Sequence, residues 1–80
     1  MSAAEFELTR LPVGKRAEVV RVGSVGSMRN RLLDLGLVPS TVVEAVRKSP
    51  AGDPVAYKIR GAVIALRSEE SRQITVRSLD

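Results

Sequence analysis

Histidine and cysteine are both absent from this 80-residue chain. A Ser-His or Cys-His nucleophile pair is therefore impossible, and zinc, iron or copper sites built from imidazole and thiolate are excluded. Disulfides are excluded as well. Tryptophan is also missing, and the aromatic residues are Phe6 and Tyr57 alone, which leaves almost nothing for stacking on unpaired bases. No apolar run approaches the roughly 20 residues of a membrane-spanning helix. The opening Met1-Ser2-Ala3-Ala4-Glu5-Phe6-Glu7 has neither the basic start nor the apolar stretch of a secretory signal. A cytoplasmic location is the expectation.

What is present fits one small domain spanning residues 1–80, with an ordered core over about 8–78. A chain of this length buries roughly 60 to 65% of its unfolded surface. The 44% hydrophobic and 28% charged shares are those of an ordinary globular protein. Thirteen Lys and Arg against nine Asp and Glu leave a net charge of +4, which points to an anionic partner or simply to a solvated surface. The cations are spread along the chain, so the charge alone does not select nucleic acid. Among the carboxylates only Glu69 and Glu70 are adjacent, and a helical turn would aim them apart, so no metal and no other cofactor is expected. Gly23-Ser24-Val25-Gly26 is not a phosphate loop, because no Lys-Ser or Lys-Thr follows at the required spacing.

The most structured signal is Arg31-Leu32-Leu33-Asp34-Leu35-Gly36-Leu37-Val38-Pro39. Met28, Leu32 and Leu35 recur at i, i+4 and i+7 and form one helical stripe, while Arg29, Asn30 and Asp34 turn away. Ser27 is placed to cap the helix start. At the other end Gly36 can adopt a left-handed backbone, Leu37 folds back over the last turn, and Pro39 prevents the helix from resuming. Leu33 falls off the stripe, beside Arg29, and either packs on a second wall or serves a partner.

Short β-branched runs separated by turn residues fill the rest. Ala17–Val22, Val42–Arg47, Val55–Gly61, Ala62–Arg67 and Ile74–Arg77 read as five strands, with Ser49–Pro54 as a hairpin turn and Ser68–Ser71 as a capped single turn. Val55, Tyr57 and Ile59 alternate with Ala56, Lys58 and Arg60, so one strand face is wet. Five short twisted strands avoid bare edges by closing. The expected fold class is therefore mainly β: a small five-stranded barrel with one short α-helix covering an open end. Its expected core is Val13, Val20, Val22, Leu32, Leu35, Val43, Tyr57, Ile59, Ile64, Leu66, Ile74 and Val76.

The ordered series Leu11, Gly14, Ala17, Val19, then Arg31–Leu37 with Pro39 and Thr41, then Pro50, Gly52-Asp53-Pro54, Gly61, Ile64-Ala65-Leu66-Arg67, Ile74 and Val76 resembles the FeoA family of ferrous iron transport proteins. The resemblance spans almost the whole chain. It implies a cytosolic SH3-like barrel that works beside FeoB, the membrane GTPase through which ferrous iron enters. A similar domain ends the iron-dependent repressors of the diphtheria-toxin-repressor type. With no DNA-reading segment beside it, this chain resembles the free-standing form. One departure is visible: the family commonly has glycine after the proline where this chain has Ser40.

The function so implied is that of a small accessory protein that binds and regulates the cytosolic domain of FeoB without chemistry of its own. Its candidate contact surface is the border formed by Arg29, Leu33 and Leu37, with Arg31 beside it. Two alternatives stay open. One is a basic nucleic-acid-binding barrel using Lys58 and Arg60, although nucleic acid is not the expected partner. The other is a GTPase-activating role toward FeoB in which Arg29 or Arg31 supplies an inserted arginine.

Overall fold

A computed structural model describes residues 4–80 of the chain. In chain order it forms β1 (Glu5–Glu7), a single 3-10 turn (Leu8–Arg10), β2 (Arg16–Val22), α1 (Gly26–Asp34), β3 (Val42–Lys48), β4 (Val55–Ile59), β5 (Ala62–Leu66), α2 (Ser68–Ser71) and β6 (Ile74–Ser78). The six strands make one antiparallel sheet in the order β1-β6-β2-β3-β4-β5. The mainly β architecture with one short helix is the one expected, but it has six strands rather than five. The extra strand, β1, is three residues long with an exposed glutamate at each end. It is too short to display a period, and pairing with β6 is what makes it a strand.

The hydrogen-bonded ladder runs open from β1 to β5, so the expected closure into a barrel is not made by strand pairing among the described residues. The 3-10 turn covers the core instead. Leu8 is completely buried, Leu11 nearly so, and the Tyr57 hydroxyl lies 3.4 Å from the Leu8 carbonyl as its donor. Ala17, Val19, Val43, Ala45, Tyr57, Ile59, Leu66, Ile74 and Val76 fill the concave side, and Leu32 and Leu37 arrive from α1 and its exit. The sequence pattern had aimed Val20 and Val22 inward on β2. Ala17 and Val19 take that place, because the pairing of β2 with β6 slips by one residue between Val19 and Arg21 and the extra residue is Val20. Val13 belongs to the turn before β2 and is 49% exposed, so it leaves the expected core, whereas Val22, Leu35 and Ile64 pack against it half-buried.

Three local devices set the path between α1 and β5. The first ends the helix: the Gly36 N–H donates to the Leu33 carbonyl at 3.0 Å and the Leu37 N–H to the Leu32 carbonyl at 3.1 Å. This is the Schellman pattern, with Gly36 at φ +100° and the Leu37 side chain buried over Leu32. A Cβ on Gly36 would also stand 3.1 Å from the Cδ of Arg60. The helix start is plainer than expected. Val25 holds the capping position with no side-chain cap bond, and Ser27 lies inside the first turn.

The second device is the turn Val38-Pro39-Ser40-Thr41, closed by the Thr41 N–H on the Val38 carbonyl at 3.1 Å. Proline leads it and the next residue, Ser40, takes φ +78°, which is the type II arrangement that favours glycine at that position. The Ser40 N–H is fixed on the Val19 carbonyl at 2.8 Å, so the turn is tied to β2. The third device joins β4 to β5 through Arg60 and Gly61, both at positive φ, as in a type I′ hairpin. Arg60 thereby leaves the strand in which the alternation had placed it.

At the far end of the β3–β4 hairpin the Asp53 carboxylate accepts the Ser68 N–H at 2.8 Å. The Glu70 carboxylate accepts the Arg67 N–H at 3.0 Å. The expected capped turn at Ser68–Ser71 therefore receives half of its capping from a loop fifteen residues away in sequence.

Ser40 carries a left-handed backbone at a cost of about 1 to 2 kcal/mol. Ser40→Gly removes that cost but adds chain entropy on unfolding, so a net gain of about 0.5 to 1 kcal/mol is expected. A melting temperature that stays level or falls would contradict the turn geometry.

Burial pushes the Tyr57 phenol above its usual value of 10.0, with the Asp53 charge adding to the rise and a Ser71 hydrogen bond opposing it. The folded pKa lies above the unfolded one. The matching stability is therefore fully present below the unfolded phenol's pKa of about 10 and is lost as pH rises through the folded value. Tyr57 is the single tyrosine, so tyrosinate absorbance reads it alone. Its midpoint is expected above that of the urea-unfolded chain, and Tyr57→Phe should flatten the alkaline fall in melting temperature. Coincident midpoints in the folded and unfolded chains would contradict this.

Candidate functional site

Helix spacing puts Arg29 and Leu33 one turn apart on the same side of α1, beside the buried Leu32 stripe. Arg29 is exposed and Leu33 half-buried, so the two form an edge that is charged at one end and apolar at the other. Arg29 has no carboxylate partner among the described residues.

Arg31, expected beside this edge, is turned elsewhere. Its guanidinium pairs with the Glu70 carboxylate, whose side chain is only 15% exposed and which also holds the Arg67 N–H. Arg31 thus ties α1 to α2 across the fold. Leu37 requires a correction. It is fully buried as the residue that closes the Schellman turn over Leu32, so it offers no surface to a partner. The surface expected from sequence narrows to Arg29 and Leu33, with Arg31 as a strut behind them.

The fold also assembles a feature that the sequence did not reveal. An open groove of about 410 Å³ runs beside the Ser40 turn, lined by Pro39, Ser40, Thr41, Val42 and Arg60. A second, of about 190 Å³, is lined by Arg16, Val42, Glu44, Lys58, Arg60 and Gly61. Val42 and Arg60 belong to both, so the two form one trough with three cations and one carboxylate on its walls. Arg16 arrives through its pairing opposite Glu44, and Glu44 lies opposite Lys58. The sequence pointed to Lys58 and Arg60 on a wet strand face, but not to Arg16, Glu44 and the 45% exposed Val42 that the pairing register sets beside them.

Chemically these surfaces can bind. Among the described residues no group of three or more carboxylates gathers where it could hold a metal ion. The Asp80 carboxyl is held below its usual range, through the Arg16 backbone N–H that it accepts at 2.7 Å and the Arg16 charge nearby. That is a strand-end clasp. Tyr57 is 1% exposed, so its ring offers no face to a base, and Phe6 is half-buried. No helix among the described residues is long and apolar enough to cross a membrane.

A small antiparallel β domain with a filled core and one short helix packed on it belongs to the class of SH3-like domains. The FeoA domain family matches residues 6–78, and the chain belongs to that family. It is 36% identical over 71 residues to a fusion of Fe(2+) transport protein A with the Fe(2+) transporter FeoB from Porphyromonas gingivalis. That match takes in 89% of this chain but only 8% of the relative's length. The solution structure of FeoA from Chlorobium tepidum superposes with a TM-score of 0.87 at 37% identity, over 94% of this chain and 71% of that one. The zinc complex of FeoA from Stenotrophomonas maltophilia, described as a prokaryotic SH3 domain protein, gives 0.80 at 29% identity over 89% and 88%.

Replacing Leu33 by Asp should leave the chain folded, at a cost of about 1 to 2 kcal/mol for half a leucine's burial. Leu37→Asp places a carboxylate in the core and should cost several kcal/mol, enough to unfold a domain of this size. Circular dichroism melting separates them. Equal losses in the two variants would place Leu33 in the core.

Proposed function

We propose that this domain is an accessory protein that binds the cytosolic part of a FeoB-type ferrous iron transporter and regulates it, working on the cytosolic face of the membrane without chemistry of its own. The observation that carries this reading is the covalent fusion of the two proteins in the P. gingivalis relative, which holds them at high effective concentration. The Arg29–Leu33 edge is the docking surface in this reading. An exposed arginine is among the residues enriched as interface anchors, and the half-buried leucine beside it adds apolar surface. Regulation of transport also accords with the description of the S. maltophilia protein as a candidate activating factor for ferrous iron transport.

Acceleration of GTP hydrolysis is the stronger form of the same reading, and Arg29 is its candidate rather than Arg31. An inserted arginine must be free to reach the nucleotide. Arg29 has no ion-pair partner among the described residues, whereas Arg31 is engaged by Glu70.

A pull-down with the isolated cytosolic domain of FeoB should retain the wild-type chain and lose it with Arg29→Glu, a change at an exposed position that the fold tolerates. If hydrolysis is accelerated, Arg29→Ala should abolish the acceleration while a binding assay still detects the complex. Wild-type binding by both Arg29→Glu and Leu33→Asp would move the docking surface to the trough around Lys58 and Arg60.

A further inference from the structure

The two ends of the sheet are protected very differently. β1 is three residues long and carries Glu5 and Glu7, the short charged form that discourages further pairing. β5 is five residues long, reads Ala62-Val63-Ile64-Ala65-Leu66, and contains neither a charge nor a proline. It pairs only with β4.

The register decides which of its backbone groups are spent. The β4–β5 loop has two residues, so its flanking pair Ile59–Ala62 is hydrogen-bonded, and in an antiparallel ladder the next bonded pairs are Tyr57–Ile64 and Val55–Leu66. The N–H and C=O groups of Val63 and Ala65 therefore point away from β4. None of the turn, loop or side-chain hydrogen bonds among the described residues uses them. Val63 is 58% exposed, and Ala62 and Ala65 are exposed beside it.

We propose that the free edge of β5 is a strand-addition site for an extended protein segment that alternates acidic and apolar residues. Backbone bonding to Val63 and Ala65 supplies the attachment. The side chains supply the choice of sequence. On the outer face Val63, Ala65 and Arg67 follow one another, with Lys58 directly across from Val63 on β4. Neither Lys58 nor Arg67 has an ion-pair partner among the described residues. An added strand lies about 10 Å from β4, a span that a lysine and a glutamate side chain cover together. Its outer face thus meets two unpaired cations, while its inner face lies beside Ala62 and the half-buried Ile64.

A second copy of this chain fits the edge poorly. Antiparallel pairing of β5 with itself about Ile64 brings Arg67 of each copy to the Arg60–Gly61 turn of the other, so like charges meet at both ends. The site shares no residue with the Arg29–Leu33 edge, and its success or failure is independent of FeoB binding.

The test uses the full chain, a peptide alternating glutamate and valine long enough to run along β5, and the same peptide with lysine for glutamate. Amide hydrogen exchange by NMR should show Val63 and Ala65 slowing on addition of the glutamate peptide, while Ile64, already held by the ladder, keeps its rate. The lysine peptide should bind on the order of tenfold more weakly. Ala65→Pro removes an N–H that the β4 ladder does not use, so the variant keeps its fold and loses the peptide. Unslowed amides, equal affinity for the two peptides, or undiminished binding by a folded Ala65→Pro would each overturn the proposal. Concentration-dependent protection of the same amides without peptide would assign the edge to a second copy and overturn it as well. Should Ala65→Pro fail to fold, the exchange pattern of the wild type decides alone.

Discussion

The N–H of Leu37, bonded to the carbonyl of Leu32 while both leucines are buried, is the constraint on which the remaining structure depends. It reverses the chain at the end of α1 and brings Leu37 into the core with Leu32. The reversal works only because Gly36 accepts a left-handed backbone under Arg60. The type II turn at Ser40 then delivers Val43 and Ala45 to the concave face of the sheet, in register with Ala17. Were the helix to end one residue later, β3 would present its other face and bury Glu44 and Val42 instead.

Those parts of the fold written in local chemistry could be read from the sequence. Gly36 and Pro39 marked the helix end, Gly61 marked the tight hairpin, and Ser68–Ser71 marked the short capped turn. The family resemblance also made sense of Ser40, whose positive φ explains why glycine is common there. The parts set by distant partners could not be read in the same way. β1 is a strand only because β6 lies beside it. The inward face of β2 depends on a bulge at Val20 that strict alternation cannot anticipate. Leu8 and Leu11 sit in a stretch without periodicity and are buried because the 3-10 turn folds over Tyr57.

The candidate site divides along the same line. Arg29 and Leu33 were legible as an off-stripe pair, since helical geometry alone places them together. Leu37 was misplaced at the surface because the role it plays in closing the turn is the one that buries it. The engagement of Arg31 was invisible, for Glu70 reaches it from α2, three strands further along the chain. The basic trough draws Arg16, Glu44, Lys58 and Arg60 from three strands and a turn, and only pairing register brings them to one face. A net charge of +4 spread evenly in sequence becomes locally concentrated through that register.

β1 and β6 are neighbours in the sheet, with Glu5 opposite Arg77. The first and last strands of the domain therefore leave it side by side. A polypeptide attached before β1 starts from nearly the same point as one attached after β6, and a domain inserted through this pair interrupts its host by little more than a strand spacing. Gene fusion with a much larger protein, such as the P. gingivalis relative displays, then requires no rearrangement of this sheet. Evolution can tether the module from either side, or clip it in between, and present the same face to what lies beyond the linker.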